Sequence, residues 1–89
     1  MKQRYLEVTF RRGKPFAAYL HLPRPGRSKA VRTVDEGKGL RVDFDATGTP
    51  MGIEVTNPSA VSRDDVNAVL AKLGQVELGE EEWAPASAA

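Results

Sequence analysis

The sequence predicts an α+β domain: an antiparallel β-meander of about five strands, followed by one C-terminal helix packed on one face of the sheet. Apolar and polar residues alternate from Tyr5 to Phe10, Phe16 to Leu22, Leu40 to Phe44 and Met51 to Val55. Period two marks strands with one face toward a core, because successive side chains point to opposite faces. Past residue 60 the period changes, and Val66, Val69, Leu70 and Leu73 recur at i, i+3, i+4 and i+7, one apolar stripe of a helix. At 89 residues the chain is one domain with a small core.

The first hairpin aligns Leu6, Val8 and Phe10 with Phe16, Ala18, Leu20 and Leu22. Pairing Phe10 with Phe16 sets Tyr5 against His21 and Glu7 against Tyr19 on the polar face, and leaves Arg11 to Pro15 as the loop. Pro23-Arg24-Pro25-Gly26-Arg27 continues neither strand nor helix and reads as an exposed basic loop. A third strand is expected from Ser28 to Val34, with its phase open: Ala30, Arg32 and Val34 share one face, Val31 and Thr33 the other. Asp35 to Gly39 then forms a turn.

The central hairpin, LRVDFDATGTPMGIEV from Leu40 to Val55, organises the chain. Phe44 opposite Met51, Val42 opposite Ile53 and Leu40 opposite Val55 bury one face, and the same register pairs Arg41 with Glu54 in solvent. Asp45-Ala46-Thr47-Gly48 has Asp first and Gly fourth, as a type I turn prefers. Asn57-Pro58-Ser59 ends the hairpin. The helix is placed at residues 63 to 73, with Ser62 as N-cap, Asp64 and Asp65 complementing its dipole and Gly74 at C′. The folded domain is expected to span residues 1–74, and the acidic, Ala/Pro/Ser-rich residues 75–89 to form a flexible tail, although Val76, Leu78 and Trp83 offer a way to dock part of it.

The run from Val34 to Ala60 resembles the YuzE-like family of small bacterial domains of unknown function. Asp43, Asp45 and Gly48, then Gly52-Ile53-Glu54, then Asn57 and Ser59 carry the likeness. The amino-terminal hairpin departs from it, with Arg11-Arg12-Gly13-Lys14-Pro15 where the family pattern has an acidic turn. The resemblance implies a small α+β fold and transfers no active site.

Chemistry-bearing residues are few. Without cysteine there is no disulfide, thiolate nucleophile or cysteine zinc site, which fits a reducing compartment. Asp43, Asp45, Thr47, Gly48 and Glu54 occupy positions 1, 3, 5, 6 and 12 of a calcium-loop pattern. Strand-spaced flanks and Pro50 oppose that reading, so no metal or other cofactor is expected. His21 is the sole histidine and reads as a packing residue. No nucleophile–base–orienter set or phosphate loop is present, so the chain is expected not to be an enzyme. No apolar run approaches the ~20 residues that span a bilayer, and Met1-Lys2-Gln3-Arg4 leads directly into a strand, so a cytoplasmic location and no membrane partner are expected.

Charge is divided along the chain: residues 1–32 sum to +8 and residues 33–89 to −7. Such a split suggests an anionic partner or a second copy of the chain. Two readings follow. One is a non-catalytic, homo-oligomeric protein-interaction module, a homodimer that covers its sheet edges. The other is a nucleic-acid-binding protein whose basic hairpin and loop offer Arg4, Tyr5, Arg11, Arg12, Lys14, Tyr19, Arg24 and Arg27 for phosphate contact and base stacking.

Overall fold

A computed structural model describes residues 3–24 and 29–87. Five strands form one antiparallel sheet: β1 (Tyr5–Arg11), β2 (Lys14–His21), β3 (Arg32–Gly37), β4 (Leu40–Phe44) and β5 (Pro50–Val55). Two helices follow, α1 (Arg63–Lys72) and the single-turn α2 (Glu80–Trp83), with 3-10 turns at Pro58–Ala60 and Ala84–Ala86. The α+β class and the five antiparallel strands are as the sequence predicts. The spatial order is β1-β2-β5-β4-β3, so the chain leaves β2 for the far edge and returns strand by strand until β5 lies against β2. A strict meander would have placed β3 there. The β1–β2 hairpin buries one side of β2 and leaves the other side to β5, whose Val55, Glu54, Ile53 and Gly52 pair with Ala18, Tyr19, Leu20 and His21.

Both hairpins turn more tightly than the periodicity suggests. Arg11 pairs with Lys14, and the two residues between them, Arg12 and Gly13, have φ of 54° and 79°, the positive pair required by a type I′ turn. Lys14 and Pro15 therefore join the strand, Phe10 pairs with Pro15 rather than Phe16, and a bulge absorbs the extra residue. The Tyr5–His21 and Glu7–Tyr19 pairs stand. In the central hairpin Leu40–Val55, Arg41–Glu54 and Val42–Ile53 pair as expected, but Phe44 pairs with Pro50. The Asp45 carboxylate causes that shift: its Oδ1 accepts from the N–H groups of Thr47 (2.9 Å) and Thr49 (3.0 Å) and closes the turn on itself. The expected type I turn is present, with Gly48 N–H donating to the Asp45 carbonyl at 3.1 Å. β3 begins at Arg32 and runs through Asp35, which pairs with Arg41, so the expected turn shrinks to the residues around Lys38. Its phase is settled, with Val34 opposite Val42 on the core side and Thr33 opposite Asp43 on the polar side. Ser28, where that strand was expected to begin, lies outside the described residues, as does the Pro25–Arg27 part of the basic loop.

The register lays continuous apolar rows across the sheet: Leu6–Leu20–Ile53–Val42–Val34, and beside it Val8–Ala18–Val55–Leu40. Val66, Val69 and Leu70 of α1 are buried in one core cluster with Leu20, Ile53, Val42, Ala18, Val55 and Leu40 of these rows. Helix α1 starts and stops as its sequence predicts. Ser62 Oγ accepts from Asp65 N–H (3.1 Å) while Asp65 Oδ2 accepts from Ser62 N–H (2.9 Å), a reciprocal capping box. At the other end Gly74 at φ 70° lets Gln75 N–H reach the Leu70 carbonyl at 2.9 Å and Gly74 N–H the Ala71 carbonyl at 3.1 Å, a Schellman stop.

The expected boundary at residue 74 does not mark the end of the core. Leu78, Trp83 and Ala86 are buried in the same cluster, so residues 75–87 lie as a strap against the core. Asn67 on α1 anchors it by accepting from Leu78 N–H (2.6 Å) and donating to the Leu78 carbonyl (3.2 Å). Hydrophobic burial of Leu78 and Trp83 outweighs the repulsion among Glu80, Glu81 and Glu82, which sit in the first turn of α2.

Candidate functional site

The tip of the β1–β2 hairpin gathers three cations in four residues, because the type I′ turn brings Arg11 and Lys14 face to face with Arg12 between them. The Arg11 guanidinium lies over the Phe16 ring, 5.1 Å from its centroid. Phe10 and Phe16 are 53% and 52% exposed, and Arg11, Arg12, Lys14, Pro15 and Phe16 line a shallow hollow. Among the described residues the ion pairs use Arg4, His21, Lys38, Arg41 and Lys72 and none of the three tip cations.

The polar face of the sheet carries a second constellation. One row reads Tyr5–His21–Gly52–Asp43–Thr33, the next Glu7–Tyr19–Glu54–Arg41–Asp35. Tyr5 stacks on His21 with centroids 4.4 Å apart and planes 14° from parallel, and His21 Nε2 bonds Glu7 Oε1 at 2.8 Å. The Tyr19 ring leans across Gly52, where a Cβ would come within 2.6 Å of the phenol oxygen. That gap lets the Tyr19 hydroxyl donate to Asp43 Oδ2 at 2.8 Å, while Thr33 Oγ1 donates to Asp43 Oδ1 at 2.6 Å. Burial, then the bond to Asp43, holds the Tyr19 phenol well above the usual tyrosine range, so it is a fixed donor at neutral pH. A groove beside it is lined by Glu7, Thr9, Ala17, Tyr19, Arg24 and Glu54.

The eight residues expected to share an anion-binding surface therefore divide. Arg11, Arg12 and Lys14 come together at the tip. Tyr5 and Tyr19 lie on the polar face, Tyr19 committed to Asp43. Arg24 is half-buried, and its Nη1 donates to the Met51 carbonyl at 2.8 Å. Arg27 lies outside the described residues. Arg4 is a correction: its side chain is 13% exposed and grips Glu82 through Nε at 3.0 Å and Nη2 at 3.1 Å. It also donates to the carbonyls of Val76 and Glu77. The strap's open carbonyls and its glutamate surround a guanidinium whose planar fork suits them, so Arg4 is structural.

The calcium-loop residues do not converge either. Asp43 faces Tyr19 and Thr33, Asp45 folds onto its own turn, and Glu54 lies 3.9 Å from Arg41. Among the described residues no three His, Asp or Glu side chains are grouped to hold a metal. No helix among them is long and apolar enough to cross a membrane. Comparison with family models, curated proteins and solved structures gave no match.

Sequence reasoning missed Asp43 as the hub of the polar face and Phe10 and Phe16 as exposed groups. The signal for Asp43 was Gly52, the one residue without a side chain in its row, which makes room for a neighbouring ring.

Proposed function

We propose that the protein is a non-catalytic interaction module that works as a cytoplasmic homodimer. The observation that carries this is β1, a seven-residue strand at the open edge of the sheet, with neither proline nor glycine along it. Exposed edges of this kind are usually covered, charged or broken, since their free backbone groups template pairing. Support for a non-catalytic reading is that the polar-face groups with acid–base chemistry are committed to one another: Tyr19 to Asp43, His21 to Glu7 and to the Tyr5 ring. The proposed kinship of residues 34–60 with the YuzE-like domains goes with this reading, since it implies a small α+β fold and brings no active site. Gel filtration with light scattering tests it: the expected mass is twice 9.7 kDa, and a monomer across the accessible concentration range would sink it.

A second reading is favoured by the hairpin tip, where Arg11, Arg12 and Lys14 lie beside an exposed Phe16. Cations that neutralise phosphates and a ring on which a base can stack are the parts of a single-stranded nucleic-acid contact. The expected outcome is weak, salt-sensitive retention of mixed-sequence RNA in a gel-shift assay. Arg12→Glu with Lys14→Glu, outside β1, abolishes it and leaves the dimer intact. Tight binding lost in that variant would make this reading the better one.

A further inference from the structure

The pairing of β2 with β5 fixes which backbone groups of β1 face outward. Leu22 N–H donates to the Met51 carbonyl at 2.9 Å, so in β2 the peptide groups of Leu22, and by alternation of Leu20 and Ala18, face β5. Those of Tyr19 and His21 then face β1, where they meet Glu7 and Tyr5. The N–H and C=O groups of Leu6, Val8 and Phe10 are left pointing away from the sheet. The bulge near the tip does not change this, because its extra residue, Phe16, is in β2. The side chains of these three residues are apolar, Leu6 and Val8 half-buried at the end of rows whose β2, β5 and β4 members are core, and Phe10 53% exposed. The opposite edge, β3, is protected. A bulge interrupts it between Asp35 and Gly37, and Glu36 carries a charge that pairs with Lys72 of α1 at 2.6 Å.

We infer that β1 pairs with β1 of a second copy, antiparallel and centred on Val8, so that two sheets join into one. This rests on the homodimer reading above and names its surface. Registers centred on a residue from Leu6 to Phe10 place outward groups opposite one another, and those centred on Leu6 or Phe10 overlap only three strand residues. Centring on Glu7 sets that carboxylate against its own copy, a like-charge pair that costs stability. Centring on Thr9 overlaps residues 7–11 alone. Centring on Val8 uses the whole strand, Tyr5–Arg11. It lays each exposed Phe10 against the second copy's Leu6, Val8 against Val8, and Arg11 beside the exposed Tyr5 ring, where a cation is favoured. Complementarity along the full length selects this register.

The absence of cysteine makes the register readable by disulfide trapping. Residues directly opposite in an antiparallel pair have Cα atoms about 5.5 Å apart or closer, within disulfide reach, whereas two-residue offsets, which separate the two copies of residue 7 or of residue 9 in this register, are about 7–8 Å apart and outside it. Under mild oxidation Val8→Cys is expected to give a covalent dimer, and Glu7→Cys and Thr9→Cys are expected not to. Phe10→Glu, at an exposed position, is expected to raise the dimer dissociation constant at least about tenfold with an unchanged far-UV circular dichroism spectrum. Trapping through Thr9→Cys or Glu7→Cys instead of Val8→Cys overturns the register and leaves the β1 dimer standing. A wild-type dimer that none of the three traps and that Phe10→Glu leaves intact overturns the β1 surface while the homodimer reading survives. A monomer overturns both.

Discussion

Gly52→Ala is the sharpest test of the polar face, because two ordinary effects predict opposite signs. In an unobstructed strand, replacing glycine by alanine restricts the unfolded chain and stabilises by about 0.4–1 kcal/mol. Here the new methyl would stand within 2.6 Å of the Tyr19 hydroxyl oxygen and closer still to its ring. The backbone of β5 cannot retreat, since it is paired on both sides with β2 and β4, so the ring must move. Moving it breaks the bond to Asp43, worth about 1.5–3 kcal/mol for a charged acceptor, and uncovers the ring. Subtracting the glycine term leaves a net loss of about 1–2 kcal/mol, a fall in melting temperature of roughly 4–16 °C for a domain of this size. The assay is thermal melting followed by circular dichroism, for wild type, Gly52→Ala, Tyr19→Ala and the double variant. With Tyr19→Ala in place the methyl has nothing to displace, and Gly52→Ala is expected to become neutral or stabilising. A single variant that melts at or above wild type, or additive losses in the double variant, would refute the reasoning.

Other outcomes follow from the core and the strap. Leu70→Ala, at a fully buried position of the core cluster, is expected to cost about 2–5 kcal/mol by chemical denaturation, and a wild-type curve would remove α1 from the core. Asn67→Ala leaves both backbone groups of Leu78 without their partner, an expected loss of about 1–3 kcal/mol. Its emission from Trp83, the sole tryptophan, should shift to longer wavelength at lower denaturant than in wild type. Acid should release the strap in the same way. Hydrogen bonding from Arg4, and then from Gly79 N–H, holds the Glu82 carboxyl below its ordinary value of 4.5. A depressed carboxyl contributes stability that is present above the unfolded value and lost as pH falls through the folded one. Trp83 fluorescence should therefore be flat above about pH 5 and change below it, and Glu82→Gln should remove part of that dependence; an identical profile in the variant would place the acid transition elsewhere.

What the sequence by itself determined is local. Period two in β1, β2, β4 and β5, the Asp45–Gly48 turn, and the Ser62 and Gly74 ends of α1 each depend on residues within a few positions of one another, so pattern and turn chemistry suffice to read them. Even the Arg41–Glu54 pair was legible, because a short turn fixes which residues meet. The tertiary structure decided everything that joins distant segments. Pairing of β2 with β5 rather than β3 turns on which apolar rows continue across the sheet, and alternation alone is the same for every strand order. The bulges at Phe16 and beside Phe44 reflect side chains and glycines closing turns, which a count of apolar positions does not register. Composition made residues 75–87 look disordered, but burial is a property of partners: Trp83 and Leu78 had an uncovered stretch of sheet to occupy, and Asn67 and Arg4 had backbone groups to satisfy there. The same reason divided the candidate site. Of the eight candidates, the seven described residues divide among a tip, the polar face and a strap anchor once folding chooses the partner of each.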